Sequence, residues 1–181
     1  MQKVCFDSVK TQTCDDYQHF LIQGVMRESD KDSPGNGTFA IEHGLTKPWP
    51  IDARYVMVLD DDNMLAYLDF VKEFKALTEK QNPDIVFFKS QIKGWGIYPP
   101  NNLWGKAPVG GYIDWFCFAI KREMWEKYIK EIEAHPNLLG NCNDALLIKI
   151  CYRNAKSISW LDRLVATTQK APGRGMGENE F

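Results

Sequence analysis

Residues 55–90 read YVMVLDDDNMLAYLDFVKEFKALTEKQNPDIVFFKS, and their pattern decides the fold. The apolar, β-branched run at 55–59 is too short for a helix and reads as a buried strand. It ends on three consecutive carboxylates, Asp60, Asp61 and Asp62. Leu65, Leu68, Phe70, Val71, Phe74 and Leu77 then recur at intervals of three and four, which predicts an amphipathic helix over 64–81. Residues 84–90 form the next apolar run and a second strand. Strands alternating with helices imply a three-layer α/β domain, in which ligands sit beyond the carboxyl ends of the strands. The three aspartates lie at such an end.

Outward from this unit the pattern continues. Residues 1–12 predict a short helix with Val4, Cys5, Ser8 and Val9 on one side. A strand is expected over 17–25, a charged, turn-rich loop over 28–37, a short strand over 38–44 and a proline-punctuated connection over 46–52. Downstream, 91–111 reads as a long aromatic loop or irregular hairpin and 112–120 as a strand. Helices are expected over 121–134 and 143–154, the second capped by Asn141 or Asn143. A last strand follows over 158–167, and a flexible Gly-rich tail over 169–181.

The 181 residues suit one domain with a core large enough to need no staples. With a net charge of −2 and no basic stripe, nucleic acid is not expected as the partner. Cys5, Cys14, Cys117, Cys142 and Cys151 are odd in number and have no CxxC spacing, which fits buried thiols in a reducing compartment. No apolar run is long enough to span a bilayer. The expectation is a cytoplasmic protein, with peripheral attachment at a membrane surface left open.

On an extended chain Asp60 and Asp62 share one side, about 7 Å apart. Carboxylates that close repel unless one is protonated or a cation lies between them. Hard oxygen ligands suit Mg²⁺ or Mn²⁺, which also bind phosphate oxygens. The plainer alternative is a helix start, with Asp62 or Asn63 as the cap and the dipole tolerating the charge. Capping accounts for one carboxylate but not for three.

These residues resemble the inverting GT-A glycosyltransferases, which use nucleotide-diphosphate sugars. The segment DSVKTQTCDDYQHFLIQG (7–24), with its Ser-Val and Gln-Thr pairs, is similar to that family's early helix–strand unit. YVMVLDDDNM resembles its DxD strand. GGYIDWFCFAIKREMWEKY (110–128) followed by GNCNDALLIKICYRN (140–154) resembles its acceptor-side strand, helix and acidic helix start. The resemblance implies a single GT-A domain over 1–168, Rossmann-like with a mixed central sheet, its donor side at 1–65 and acceptor side at 85–168. It implies a metal-dependent, inverting hexosyltransferase that takes a UDP- or GDP-sugar to a hydroxyl of a glycan, glycoprotein or glycolipid. Asp62 and Asp60 would hold Mn²⁺ or Mg²⁺, Asp60, Asp61 and Asp62 would contact the donor, and Asp144 would be the general base.

Asp144 also reads as an ordinary first-turn acid of its helix. Gly110 and Gly111 read either as a turn or as a close backbone approach to the sugar. Asp114 could bond sugar hydroxyls or face solvent as a strand residue. Trp95, Tyr98 and Trp104 could stack on sugar rings or fill a lid. Lys89, Lys93 and Arg174 could meet the diphosphate or stay solvated. In size the chain resembles small single-domain enzymes of bacteria and large DNA viruses. It departs from the family in beginning inside the first helix, without the usual first strand. Gln23-Gly24 stands where an acid usually ends the second strand, and no histidine follows His135 to serve as a third metal ligand. A catalytically weakened sugar- or nucleotide-binding module of the same fold is therefore the rival reading. A Mg²⁺-dependent phosphotransferase fits less well, because Met64 stands where that chemistry wants a hydroxyl or valine.

Overall fold

The computed structural model describes residues 2–20, 52–133 and 143–168. Helix α1 spans Gln2–Lys10, and strands β1 and β2 span Tyr55–Val56 and Asn63–Leu65. Helix α2 covers Phe70–Gln81, β3 Ile85–Ile92 and β4 Gly96–Tyr98. After 3₁₀ turns at Asn101–Leu103 and Trp115–Cys117 come β5 (Phe118–Lys121), α3 (Arg122–Glu133), α4 (Asn143–Asn154) and β6 (Ile158–Thr168).

Strand β3 is the centre. Ile85, Val86, Phe87 and Phe88 are all at most 1% exposed, so the strand is covered on both faces. On one edge β6 pairs with it in parallel, from Ile85↔Ile158 to Gln91↔Thr167. On the other edge β5 pairs antiparallel with 85–87, and β4 takes over at 90–92. Strand β1 adds antiparallel to β5 and β2 antiparallel to β6, giving the order β1-β5-β3-β6-β2. Neighbouring strand residues face opposite sides. Phe87 meets Tyr152 of α4 at 6.3 Å, and Phe88 meets Phe70 of α2 at 5.1 Å. Helices therefore cover both faces, and the expected three-layer α/β architecture with a mixed sheet is present.

Helices α3 and α4 and strands β3 and β6 form where the periodicity puts them. Three expectations shift. The strand expected through Asp62 keeps a ladder only at Tyr55–Val56. The helix expected from residue 64 starts at Phe70, with Asp69 and not Asp62 or Asn63 at its N-cap. Its first predicted turn is strand β2 instead, because sheet pairing buries Leu65 and leaves Leu68 54% exposed. The strand expected from 112 begins only at Phe118, since the Asp114 carboxylate accepts the Trp115 N–H at 2.7 Å and turns the chain into a 3₁₀ turn. Tyr17–Phe20 lie outside any strand, and the rest of the strand expected at 17–25, the one at 38–44 and the tail lie outside the described residues. Cys5, Cys117 and Cys151 are buried and unbridged, as expected of reduced thiols. Among the described residues no helix is long and apolar enough to cross a membrane.

The amino-terminal end of the sheet is tied by Asp84. Its carboxylate accepts from Lys121 Nζ at 3.0 Å and from the N–H groups of Lys156 and Ser157 at 2.7 and 3.2 Å. Burial opposes its ionisation, but the Lys121 ammonium and these N–H groups outweigh burial and hold the carboxyl below the usual range. Asp84→Ala strands the Lys121 charge, whose side chain is 18% exposed, and is expected to cost about 3 kcal/mol in urea unfolding. A depressed folded-state pKa adds stability above the unfolded value, lost as pH falls through the folded one. The gap between the native protein and the variant should therefore hold above about pH 4 and close only as pH falls below it, through the depressed folded-state value.

Candidate active site at the carboxyl ends of the strands

Two antiparallel steps, β1 to β5 and β5 to β3, leave β1 running the same way as β3 and β6. The carboxyl ends of β3 and β6 lie together, with Gln91 opposite Thr167. The chain leaves β1 at Val56, level with Ile120 and with Ile85 at the start of β3, and enters β2 at Asn63, opposite Thr168 at the end of β6. Residues 57–62 therefore carry the chain along the sheet as well as from one edge to the other. Bulges opposite Phe88–Ser90 interrupt the β6 register. Met57, Val58 and Leu59 pack against the core on the way.

The three aspartates arrive as a turn and not as an extended strand end. Asp61 and Asp62 are its central residues, closed by the Asn63 N–H donating to the Asp60 carbonyl at 3.0 Å. The Asn63 amide also donates to Asp60 Oδ2 at 3.3 Å. The alternating geometry expected of an extended chain does not apply, and the three aspartates share one turn. Asp60 and Asp61 are exposed and Asp62 is half-buried.

Helix α1 fastens the chain beyond this turn. Ser8 Oγ accepts the Leu65 N–H at 3.0 Å and donates to the Cys5 carbonyl at 2.7 Å. The Gln12 amide donates to the Tyr67 carbonyl at 3.0 Å and accepts the Val71 N–H at 3.2 Å. The Thr13 N–H donates to the Leu68 carbonyl, and its hydroxyl donates to Asp69 at 2.6 Å. The Ser-Val and Gln-Thr pairs thus act as backbone clamps on 65–71. Beside them, burial first and then the charges of Asp61, Asp60 and Asp62 push the Cys5 thiol up to about 11. Cys5 was not singled out in the sequence as part of this region, since a buried helix thiol carries no distinguishing signal.

The donor chemistry of the turn, hard carboxylate oxygens on consecutive residues, fits a divalent cation in part. Among the described residues no group of three or more His, Cys, Asp or Glu side chains is arranged to hold a metal ion alone. Such a site needs oxygens from a substrate and from water, as Mg²⁺ commonly does.

The acceptor-side candidates fall into separate places. Trp95 stands at the tip of the β3–β4 hairpin, 60% exposed. The Lys93 N–H donates to Thr168 Oγ1 at 2.8 Å, and Thr168 pairs with Asn63, so this tip neighbours the acidic turn. Trp104 goes elsewhere. It packs edge-on against Trp160 at 4.9 Å, near the start of β6, with Lys89 Nζ 4.8 Å from its ring centroid. Lys89 also pairs with Asp162 at 2.6 Å. Trp104 is a packing residue and Lys89 its partner, away from the turn. Gly110 and Gly111 form a turn closed by the Tyr112 N–H on the Val109 carbonyl at 3.1 Å. Gly111 has φ +79°, which only glycine adopts cheaply. The Gly110 backbone lies against Ala145 and Lys149 of α4, so its close approach is to this helix. Asp114 is the cap described above, neither a strand residue nor a solvent-facing one. Asp144 is the second residue of α4, beside this loop. Arg174 lies outside the described residues. Tyr112, 48% exposed, was missed because nothing marks it in the sequence.

No protein-family model matches the chain, and no curated protein matches it. Among solved structures it is similar to S. aureus TarS 1-349 in complex with UDP-GlcNAc, at 15% identity and a TM-score of 0.50, over 72% of this chain and 38% of that one. S. aureus TarS 1-349 itself aligns at 19% identity and a TM-score of 0.48, over 66% and 36%. The chain thus spans little more than a third of these proteins, and the likeness is one of fold, the Rossmann-like glycosyltransferase fold.

Ser8→Ala removes the acceptor for the Leu65 N–H. It should cost about 1–3 kcal/mol locally and speed hydrogen exchange at Leu65 while leaving β3 amides protected. Unchanged exchange at Leu65 would show that the clamp does not hold the turn.

Proposed function

We propose that this chain is an inverting, metal-dependent glycosyltransferase that moves a sugar from a nucleotide-diphosphate donor to an acceptor hydroxyl. One observation carries the reading. Three consecutive aspartates occupy the turn that enters β2 beside the carboxyl end of β6, the end of the sheet where α/β proteins bind ligands. The shared fold supports the donor class, since TarS 1-349 was crystallised with UDP-GlcNAc.

In this reading Asp62 is the direct ligand of Mn²⁺ or Mg²⁺, and Asp60 and Asp61 contact the donor or help hold the ion. The bound ion supplies positive charge against the leaving diphosphate. Asp144 takes the proton from the acceptor hydroxyl. That oxygen attacks the anomeric carbon as its bond to the diphosphate oxygen breaks, which inverts the centre in one displacement. Asp144 is the second residue of α4. The acceptor is a hydroxyl of a glycan, glycoprotein or glycolipid.

Thermal unfolding with UDP- and GDP-sugars, with and without Mn²⁺, tests the reading. A donor at a hundred times its Kd should add about 2.7 kcal/mol of stability. The gain should need Mn²⁺ and vanish in Asp62→Asn. Asp144→Asn should keep it and lose transfer by about 10²–10⁴-fold. No metal-dependent gain with any nucleotide sugar contradicts the assignment. A gain without transfer in the native protein would leave a sugar-nucleotide-binding module.

A further inference from the structure

The β3–β4 hairpin and the loop after it expose a row of rings that the donor chemistry does not use. Trp95 lies 6.4 Å from Tyr98, centroid to centroid, and Tyr98 lies 5.9 Å from Tyr112. Tyr98 is nearly buried and serves as the floor, while Trp95 and Tyr112 are 60% and 48% exposed on either side. Single exposed aromatics need no explanation, but a run of three rings in contact, tilted 39° and 51° to one another, does. The backbone is built to present it. Gly94 and Gly96, with φ of +85° and +103°, flank Trp95, and the Trp95 N–H closes the turn on the Ile92 carbonyl at 2.9 Å. Polar groups follow the rings in the chain, with Asn101 and Asn102 exposed after Tyr98-Pro99-Pro100.

We infer that this row is a binding platform for an oligosaccharide chain, which lies across Trp95 and Tyr112 with Tyr98 beneath. A pyranose ring offers a flat C–H face to an aromatic ring and hydroxyls at its edge to polar side chains. The exposed rings of Trp95 and Tyr112 suit the first and the exposed Asn101 and Asn102 the second, and aromatic side chains give contact area at low entropic cost. The position names the role. The hairpin tip is bonded to Thr168, the ladder partner of Asn63, so a chain on the rings ends beside the acidic turn. Given the transfer reading above, the oligosaccharide is the acceptor, held by several sugar units and not by its reacting unit alone.

Saturation-transfer NMR with chitotriose, cellotriose, maltotriose and mannotriose, each against its monosaccharide, tests this without nucleotide or metal. The outcome is therefore independent of donor binding, and either reading can fail alone. At least one trisaccharide should bind about tenfold more tightly than its monosaccharide. Trp95→Ala and Tyr112→Ala should each weaken it about tenfold, and Trp95→Phe should restore most of the loss. Gly96→Ala, which meets no neighbour but strains the turn, should weaken binding with the ring still present. No ring-dependent transfer to any of these sugars would overturn the inference. So would Trp95-dependent binding to phosphatidylcholine vesicles or to an apolar peptide in place of sugars.

Discussion

The short connector between β1 and β2 fixes where the acidic turn lies. Residues 57–62 take the chain from Val56, level with Ile85 at the start of β3, to Asn63, opposite Thr168 at the end of β6. The three aspartates cannot retreat along β1, because Val56 is fixed in register opposite Ile120. They cannot advance into β2, because Asn63 is fixed opposite Thr168. Three like charges are thereby concentrated at a place where a solvated loop would spread them. The sheet order explains why the cluster sits there; the electrostatics explain why a cation and a phosphate-bearing ligand would be welcome.

That arrangement needs support from outside the sheet, and α1 supplies it. Cys5 and Val9 bury one side of the helix, and Ser8, Gln12 and Thr13 spend their polar groups on the backbone of 65–71. These bonds replace intrahelical ones that a helix over 64–69 would have made, which is why α2 starts late. At the opposite end of the sheet Asp84 joins the starts of β3 and β6 to the end of β5. One end is stiffened by a paired charge, and the other carries carboxylates massed in a single turn. This division between stability and chemistry is common in α/β sheets.

Much of this could be read from the sequence. The buried runs of β3 and β6 and the stripes of α3 and α4 were legible because strong periodicity and burial agree there. The acidic turn stood out as a candidate because three carboxylates after an apolar run have few structural uses. Its geometry was not. Leu65 fits a helical stripe and a strand equally well, and only pairing with Ala166 decides between them. The structural roles of Asp114, Trp104 and Gly110 were hidden for a similar reason. A carboxylate that caps a 3₁₀ turn, a tryptophan that packs on Trp160 and a glycine that lies against α4 carry no local sequence mark. Tertiary partners supply what short-range pattern lacks.

The central claim is that the turn at Asp60–Asn63 gathers a divalent ion and a nucleotide-sugar diphosphate. Paramagnetic broadening by Mn²⁺ reads this directly. With a bound UDP-sugar, stoichiometric Mn²⁺ should erase the backbone amide signals of 60–63 and of Cys5 beside them, while Asp84 and Lys121 at the far end stay sharp. Without the nucleotide sugar the same Mn²⁺ should act far more weakly. Broadening that ignores the nucleotide sugar, or that centres anywhere else in the fold, would contradict the account.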